Sequence, residues 1–239
     1  IPIQTGLDDA AWMVSAYLLA YTVSLTFMGR VSDLIGRKWV YAISLIIFII
    51  GSVLVAVAHE WPTEILYKLY RRAGQRPDIA YVNLYAIIFG RVVQAFGAGA
   101  LVPVSLALVG DLFPPEKRAQ PMGLIGAVDT LGWVLGHLYG GIMVNIFHEH
   151  ADDFVRFFDS IGLDWGAPDW KALFWINVPL TLFALFVTLW ALRDAPMQKV
   201  KGRFDFLGAA LIIAVLSSMS IGLGANVDVG SDTSFENLS

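Results

Sequence analysis

Two charged residues, Arg91 and Asp129, lie inside long apolar stretches of the sequence. An unpaired charge at the centre of a bilayer costs about 2.5 to 3.5 kcal/mol even on insertion scales, so each charge must be offset or used. Burial disfavours the charged form of a carboxylate, which favours proton binding. We predict that Asp129 binds a coupling proton and that Arg91 serves substrate or proton movement. The alternatives are an Asp held by hydroxyls or water, and an Arg that bonds to carbonyls or snorkels.

Two polar residues, Gln94 and His137, accompany these charges on the same apolar stretches. With a rise of about 1.5 Å per residue, Arg91 falls in one half of the bilayer and Asp129 in the other. A direct ion pair between them is therefore not expected. His137 lies closer to the level of Arg91, and an adjacent guanidinium would favour the neutral imidazole.

Glycines recur beside Asp129 with helical spacing. Gly132, Gly136 and Gly140 fall in a narrow stripe at about 100° per residue, and Gly141 follows them. Small residues at this spacing let helix backbones approach closely in membranes. We predict a helix-packing seam here, with Asp129 on the same face.

Other kinds of chemistry find little support in the sequence. The chain has no cysteine, and the spacing of His148 and His150 among acidic residues matches no metal-ligand pattern, so we assign no metal. It has no phosphate loop, dinucleotide fingerprint or nucleophile elbow. We predict no enzyme, no cofactor and no nucleic-acid partner.

Long apolar stretches must position these residues. The 239 residues are 57% hydrophobic and only 15% charged, which indicates that lipid surrounds most of the chain. Helices are the expected spanning elements, because an unpaired strand would leave its backbone groups without hydrogen bonds in hydrocarbon. The lengths predict an all-α polytopic membrane protein with six spans, near 12–28, 39–58, 82–110, 121–146, 172–192 and 206–224.

Basic residues divide unequally between the two sides of these spans. Nine lie in three short loops on one side, and six lie on the other: Lys68, Arg71, Arg72, Arg76, Arg156 and Lys171. The positive-inside rule makes the first side, with the loop 29–38, cytoplasmic. The basic run YKLYRR at 67–72 is an exception on the outside.

Two outside insertions, 59–81 and 147–171, are long. Each predicts an amphipathic helix at the membrane surface. Thr63 is expected to cap the first helix and Gly74 to end it. Such helices either cover the ends of the spans or act as a gate or docking site.

Three motifs resemble those of the major facilitator superfamily. The loop between family helices two and three is resembled by GRVSDLIGRK at 29–38. The family's fourth-helix motif is resembled by RVVQAFGAGA at 91–100, and the antiporter motif of its fifth helix by LGWVLGHLYGG at 131–141. RFDFLGAAL at 203–211 resembles the seventh helix of the fourteen-helix drug:proton antiporter branch. Asp33 is expected to accept from helix N-terminal amides or to pair with Arg37. Gly29 and Gly36 are expected to permit close approach of helices.

The resemblance implies a helical bundle that comprises family helices two to seven. Residues 1–194 would form the amino-terminal bundle without its first helix, 195–205 a cytoplasmic linker, 206–224 the seventh helix and 225–239 a polar exposed tail. The first helix and the carboxyl half would be the missing partners. The conformational latch that the family builds from the first motif would comprise Gly29, Asp33, Gly36, Arg37 and Lys38.

By resemblance, the intact protein exports drug-like or lipophilic small molecules against protons by alternating access in the cell membrane. The alternative is a membrane subunit derived from such a transporter, which binds partner membrane proteins and does not transport.

Overall fold

The computed structural model describes residues 3–162, 166–194 and 205–228, and the regular structure in these ranges is helical. In chain order the α-helices are α1 (Ile3–Ile35), α2 (Arg37–Ala56), α3 (Trp61–Arg72), α4 (Ile79–Gly99), α5 (Leu101–Leu112), α6 (Ala119–Glu149), α7 (Ala151–Ser160), α8 (Ala172–Ala191) and α9 (Phe206–Asp228). The predicted all-α class is confirmed.

Five helical stretches are long and apolar enough to cross a membrane. They are Trp12–Ile35, Arg37–Ala56, Ile79–Leu112, Pro115–Glu149 and Ala172–Ala191. Helix α9 begins where the sixth span was predicted, but its apolar stretch, Leu207–Met219, is shorter than a span. The helix continues to Asp228, so it includes the first residues of the predicted tail. Residues 195–204 of the predicted linker and 229–239 of the tail lie outside the described ranges.

Helix α4 is the centre of the packing. It lies against both α1 and α2, and α8 lies against α2. Between α1 and α4, the Ser24 hydroxyl donates to the carbonyl of Phe96 at 2.6 Å. Near the end of this interface, Met28, Val40, Ala100 and Val104 form a buried apolar cluster.

Glycines make these helix contacts unusually close. A Cβ atom on Gly97 would lie 2.6 Å from the Phe48 backbone nitrogen, and one on Gly90 would lie 2.9 Å from that of Val55. A Cβ on Gly51 would collide with the backbone of Gln94. We call these three residues the α2–α4 glycine seam. Gly99 makes an equally close contact with α1, where an added Cβ would lie 2.8 Å from that of Ser24.

The span Ile79–Leu112 is interrupted once, at Ala100, between α4 and α5. Pro103 has no amide hydrogen and so cannot continue the hydrogen-bond ladder to the preceding turn. At the far end, Pro114 and Pro115 follow α5, and Arg118 donates to the carbonyls of Gly110 and Phe113 at 2.6 and 2.9 Å. A guanidinium thus satisfies carbonyls that the end of the helix leaves open.

Helix α6 is mostly exposed within the described part of the protein. Leu124, Val134 and Leu138 on it are each more than half exposed. No heavy atom among the described residues lies within 4 Å of a Cβ placed on the glycines of the predicted seam: Gly132, Gly136, Gly140 or Gly141. The seam therefore has no partner among these residues, and its packing role stays a prediction.

Both outside insertions contain a helix, α3 and α7, and the location of these helices at the membrane surface stays a prediction. Gly74 has a φ of 79°, which favours glycine, and it follows α3 as predicted. The prediction that Thr63 caps α3 is wrong, because Glu60 occupies the N-cap position. Thr63 is instead buried inside the helix, and its hydroxyl donates to the carbonyl of Ala58 at 2.6 Å.

Candidate functional site

A cavity of about 670 Å³ lies between α1, the α4–α5 pair and α6. Its lining includes both predicted charges, Arg91 from α4 and Asp129 from α6. Tyr17, Tyr21 and Trp133 add aromatic surface, with Trp133 edge-on to Tyr21 at 5.8 Å between ring centroids. The fold thus brings the charges into one mostly apolar chamber, which is the usual character of a small-molecule site.

Arg91 is held by aromatic rings and an amide. Its guanidinium carbon lies 4.2 Å from the centre of the Tyr17 ring and 5.7 Å from that of Phe174 on α8. Its Nη1 donates to Oε1 of Gln94 at 2.8 Å. Cation–π contacts strengthen where water is removed, so these neighbours offset part of the cost of placing a cation here.

A hydrogen-bond chain fixes the orientation of the Gln94 amide. Ser52 on α2 donates its hydroxyl proton to the carbonyl of Phe48 at 2.9 Å, so the hydroxyl oxygen accepts from Nε2 of Gln94, also at 2.9 Å. Oε1 is then turned toward Arg91, which can only donate. Ser52 and Gln94 are almost fully buried. The position of Arg91 therefore depends on a serine one helix away.

Asp129 is half-buried and faces the same cavity, without a hydrogen bond or ion pair to other described residues. No ion pair joins it to Arg91 across the described part of the cavity. Gly132 and Gly136 line the cavity beside it, so Asp129 shares a face of α6 with these two glycines. The side chain of His137 lies outside the described part of the structure.

The loop 29–38 forms a charged cluster at one end of the bundle. Arg37 forms an ion pair with Asp33 at 2.9 Å. It also forms a bidentate ion pair with Asp111 at the end of α5, through Nε and through Nη2, which lies 3.2 Å from Oδ1. Arg30 lies 3.7 Å from Asp33. Of the two partners expected for Asp33, Arg37 is the one observed. Lys38 forms no ion pair with the residues that the structure describes.

The two glycines of this loop have different roles. Gly36 links α1 to α2 with a φ of 115°, a conformation that side chains rarely permit. At Gly29 an added Cβ would be 3.8 Å from the Cβ of Pro103, an ordinary contact distance, so a close helix approach there stays a prediction. Only Gly36 is thus required by the backbone.

Comparison with known proteins identifies the class of protein. Residues 3–227 match the model of the Major Facilitator Superfamily, and the chain belongs to that family. This membership makes it a multi-pass integral membrane protein of a transporter family rather than an enzyme.

Among the relatives are proteins named triacylglyceride transporters. The one from Mycobacterium tuberculosis is 34% identical over 223 residues, which cover 93% of this chain and 35% of that protein. Those from Mycolicibacterium hassiacum and Mycolicibacterium smegmatis are 34% and 30% identical over 211 residues, with 88% of this chain covered and 31% and 30% of theirs. The chain spans about a third of the length of these curated relatives, and it fits the amino-terminal half of a family member.

Sequence reasoning missed three residues that complete these clusters. Asp111 could have been found, because it is an acid at the end of the span Ile79–Leu112, at the same end of the bundle as Arg37. Tyr17 and Ser52 gave no such signal, since an aromatic or a serine in an apolar helix is ordinary. Their roles depend on which helices pack together.

Proposed function

We propose that this chain is the amino-terminal half of a secondary transporter that exports lipophilic molecules in exchange for protons by alternating access. The main support for this proposal is the cavity of about 670 Å³, which Arg91 and Asp129 line together with apolar and aromatic side chains. Its surface suits a substrate with a large apolar body and few polar atoms. Drug-like compounds and the triacylglycerides named for the relatives both have this character.

The two charges would have separate tasks. Arg91 has donors beyond the one given to Gln94, and these suit ester or other polar oxygens of a bound substrate. Asp129 would carry the coupling proton, because its carboxylate faces the cavity and is not engaged by an ion pair with other described residues. Two groups that do not pair with each other can respond to substrate and proton separately.

The charged cluster at the loop 29–38 would act as the conformational latch. Arg37 joins α1 and α2 to α5 through Asp33 and Asp111, so the ends of three helices move together. We place this loop in the cytoplasm on the basis of the nine bases on its side. A rigid end of the bundle is what rocking of one half against the other requires.

The test uses the intact transporter in proteoliposomes with an imposed pH gradient and a labelled triacylglyceride or lipophilic dye. Asp129→Asn should keep the protein folded and abolish proton-driven accumulation, whereas Asp129→Glu should retain part of the activity. Uphill transport by Asp129→Asn with the pH dependence of the parent would reject the coupling role. An intact protein that moves none of these compounds, although folded, would support the partner-binding subunit instead.

A further inference from the structure

Helix α3 carries an apolar stripe that the bundle does not cover. Trp61, Ile65 and Leu69 follow at intervals of four residues, which is about 40° per step around the helix. Each is more than half exposed. The opposite face, which includes the buried Thr63, packs toward α4. The stripe therefore points away from the bundle.

The depth of α3 is fixed by its contact with the start of α4. The Thr63 hydroxyl lies 3.3 Å from the side-chain oxygen of Asn83, which is in the second turn of α4. Because α4 begins a membrane span at Ile79, α3 lies at the level where that span meets the membrane boundary. Tryptophan is enriched at this level, where its ring meets apolar chains and its N–H meets polar groups.

Three arginines at and just after the end of α3 have no carboxylate partner among the residues that the structure describes. The nearby carboxylates have other partners. Glu64 pairs with Lys68 at 3.6 Å, and Glu60 lies 3.6 Å from His59. Asp78 caps α4 by accepting a hydrogen bond from the amide of Ala80. Arg71, Arg72 and Arg76 are exposed and form no ion pair with other described residues. Arg72 falls within the angular range of the apolar stripe, eleven residues after Trp61.

We propose that α3 is an interfacial helix that binds anionic phospholipid headgroups. The stripe Trp61, Ile65 and Leu69 lies among the acyl chains, and Arg71, Arg72 and Arg76 contact the phosphates. Apolar burial and attraction to anionic lipid act together in helices of this kind. The proposal accounts for the basic run on the side opposite to the nine loop bases. It is independent of the transport function.

Helix α7 provides a natural contrast on the same side of the membrane. Its charges are mainly acidic, and its Arg156 is already 3.0 Å from Asp153. Part of its aromatic face turns back to the bundle, since Phe154 meets Phe147 on α6 at 5.6 Å. A lipid preference that depends on cationic side chains should therefore be found at α3 and not at α7.

The experiment measures which lipid lies beside α3 in the intact protein. A fluorophore on Leu69→Cys, in a cysteine-free background, is quenched by brominated phosphatidylglycerol or brominated phosphatidylcholine in mixed vesicles. The binding of the anionic lipid relative to the neutral one should exceed unity. It should fall toward unity, by up to about fivefold per arginine, in the series Arg71→Gln, Arg72→Gln and Arg76→Gln, and should also fall with salt.

Controls separate headgroup binding from unfolding. All three arginines are exposed, so the triple variant should elute and melt like the parent. A fluorophore on Phe157→Cys in α7 should show no preference for phosphatidylglycerol, and Lys117→Gln at the other end of the bundle should leave the Leu69 signal unchanged. Equal quenching by both lipids that survives removal of the arginines would overturn the proposal. Absence of quenching by either lipid would do so as well, because the stripe would then face water or a protein.

Discussion

Two glycine stripes in this protein have opposite surroundings. In the α2–α4 glycine seam, an added Cβ atom would collide with the neighbouring backbone at Gly51, Gly90 and Gly97. On α6, nothing described lies within 4 Å of such an atom at Gly132, Gly136 or Gly140. The first stripe is closed by helices of the same bundle, while the second borders the cavity. Glycine spacing thus indicates a surface that permits close approach, and the tertiary structure shows where that approach occurs.

The difference suggests a division between fixed and changeable contacts. Without a hydrophobic drive between helices in lipid, close backbone packing supplies much of the association energy. A seam that is filled inside one bundle holds that bundle rigid. A stripe that remains open beside the cavity, next to Asp129, is suited to a contact that forms and breaks during alternating access. We expect substitutions in the two stripes to affect different properties.

The largest effect should come from a bulky residue in the filled seam. Gly97→Leu should prevent folding, because a Cβ alone would lie 2.6 Å from the Phe48 backbone and the helices must separate. Overpacking in a well-filled site costs about 1 to 3 kcal/mol and occasionally more. The matched control is Gly132→Leu, which has open space around it. Monodispersity and thermal midpoint in detergent distinguish the two, and equal tolerance would contradict the close packing of α2 against α4.

A bulky residue on the open stripe should impair transport instead. Gly136→Leu should leave the thermal midpoint near that of the parent and slow transport by the intact protein about ten- to hundredfold, the equivalent of 1 to 3 kcal/mol of overpacking in a helix contact. Leu138→Ala, at an exposed neighbouring position, should have a mild effect. Normal transport by Gly136→Leu would show that the stripe faces lipid throughout the cycle.

A smaller effect is expected from the polar chain that crosses the filled seam. Ser52→Ala leaves Nε2 of Gln94 buried without an acceptor, which costs about 1 to 3 kcal/mol. The freed amide should also loosen Arg91 and raise KM for substrate more than it lowers kcat. On α6, Thr130→Ala removes an exposed hydroxyl bond within one helix and should change stability by less than about 0.5 kcal/mol. Similar losses in both variants would argue against the buried chain.

The smallest perturbation tests which end of the open stripe faces the cytoplasm. Glu116→Cys lies just before α6 and Ser160→Cys lies after it at the end of α7, and both positions are exposed. Impermeant maleimide added to sealed cells should label Ser160→Cys, whereas Glu116→Cys should require permeabilised cells. Both variants should fold and transport like the parent. Labelling of the two positions from one side would overturn the assignment of spans.

The sequence by itself determined the class of the protein and its membrane helices. Apolar length predicts a spanning helix because the bilayer has a fixed thickness and offers no partners for free backbone groups. The same reasoning located Arg91 and Asp129, since a charged residue within an apolar stretch can be recognised from the sequence alone. The Asp33–Arg37 pair was also predictable, because the two residues are only four apart in sequence, on either side of the turn that joins α1 to α2.

Only the tertiary structure decided which of these residues act together. The contact of Arg37 with Asp111, the Tyr17 ring over Arg91 and the path from Ser52 to Gln94 each join side chains on different helices. Sequence periodicity assigns residues to the faces of one helix but does not state which faces meet. The crossing of α2, α4 and α1 is set by the sum of many small packing contacts, and no single motif encodes that sum. The spacing of the glycines on α6 therefore predicted a seam that is open, while the filled seam, whose glycines lie on two helices, became visible only when those helices were seen to pack.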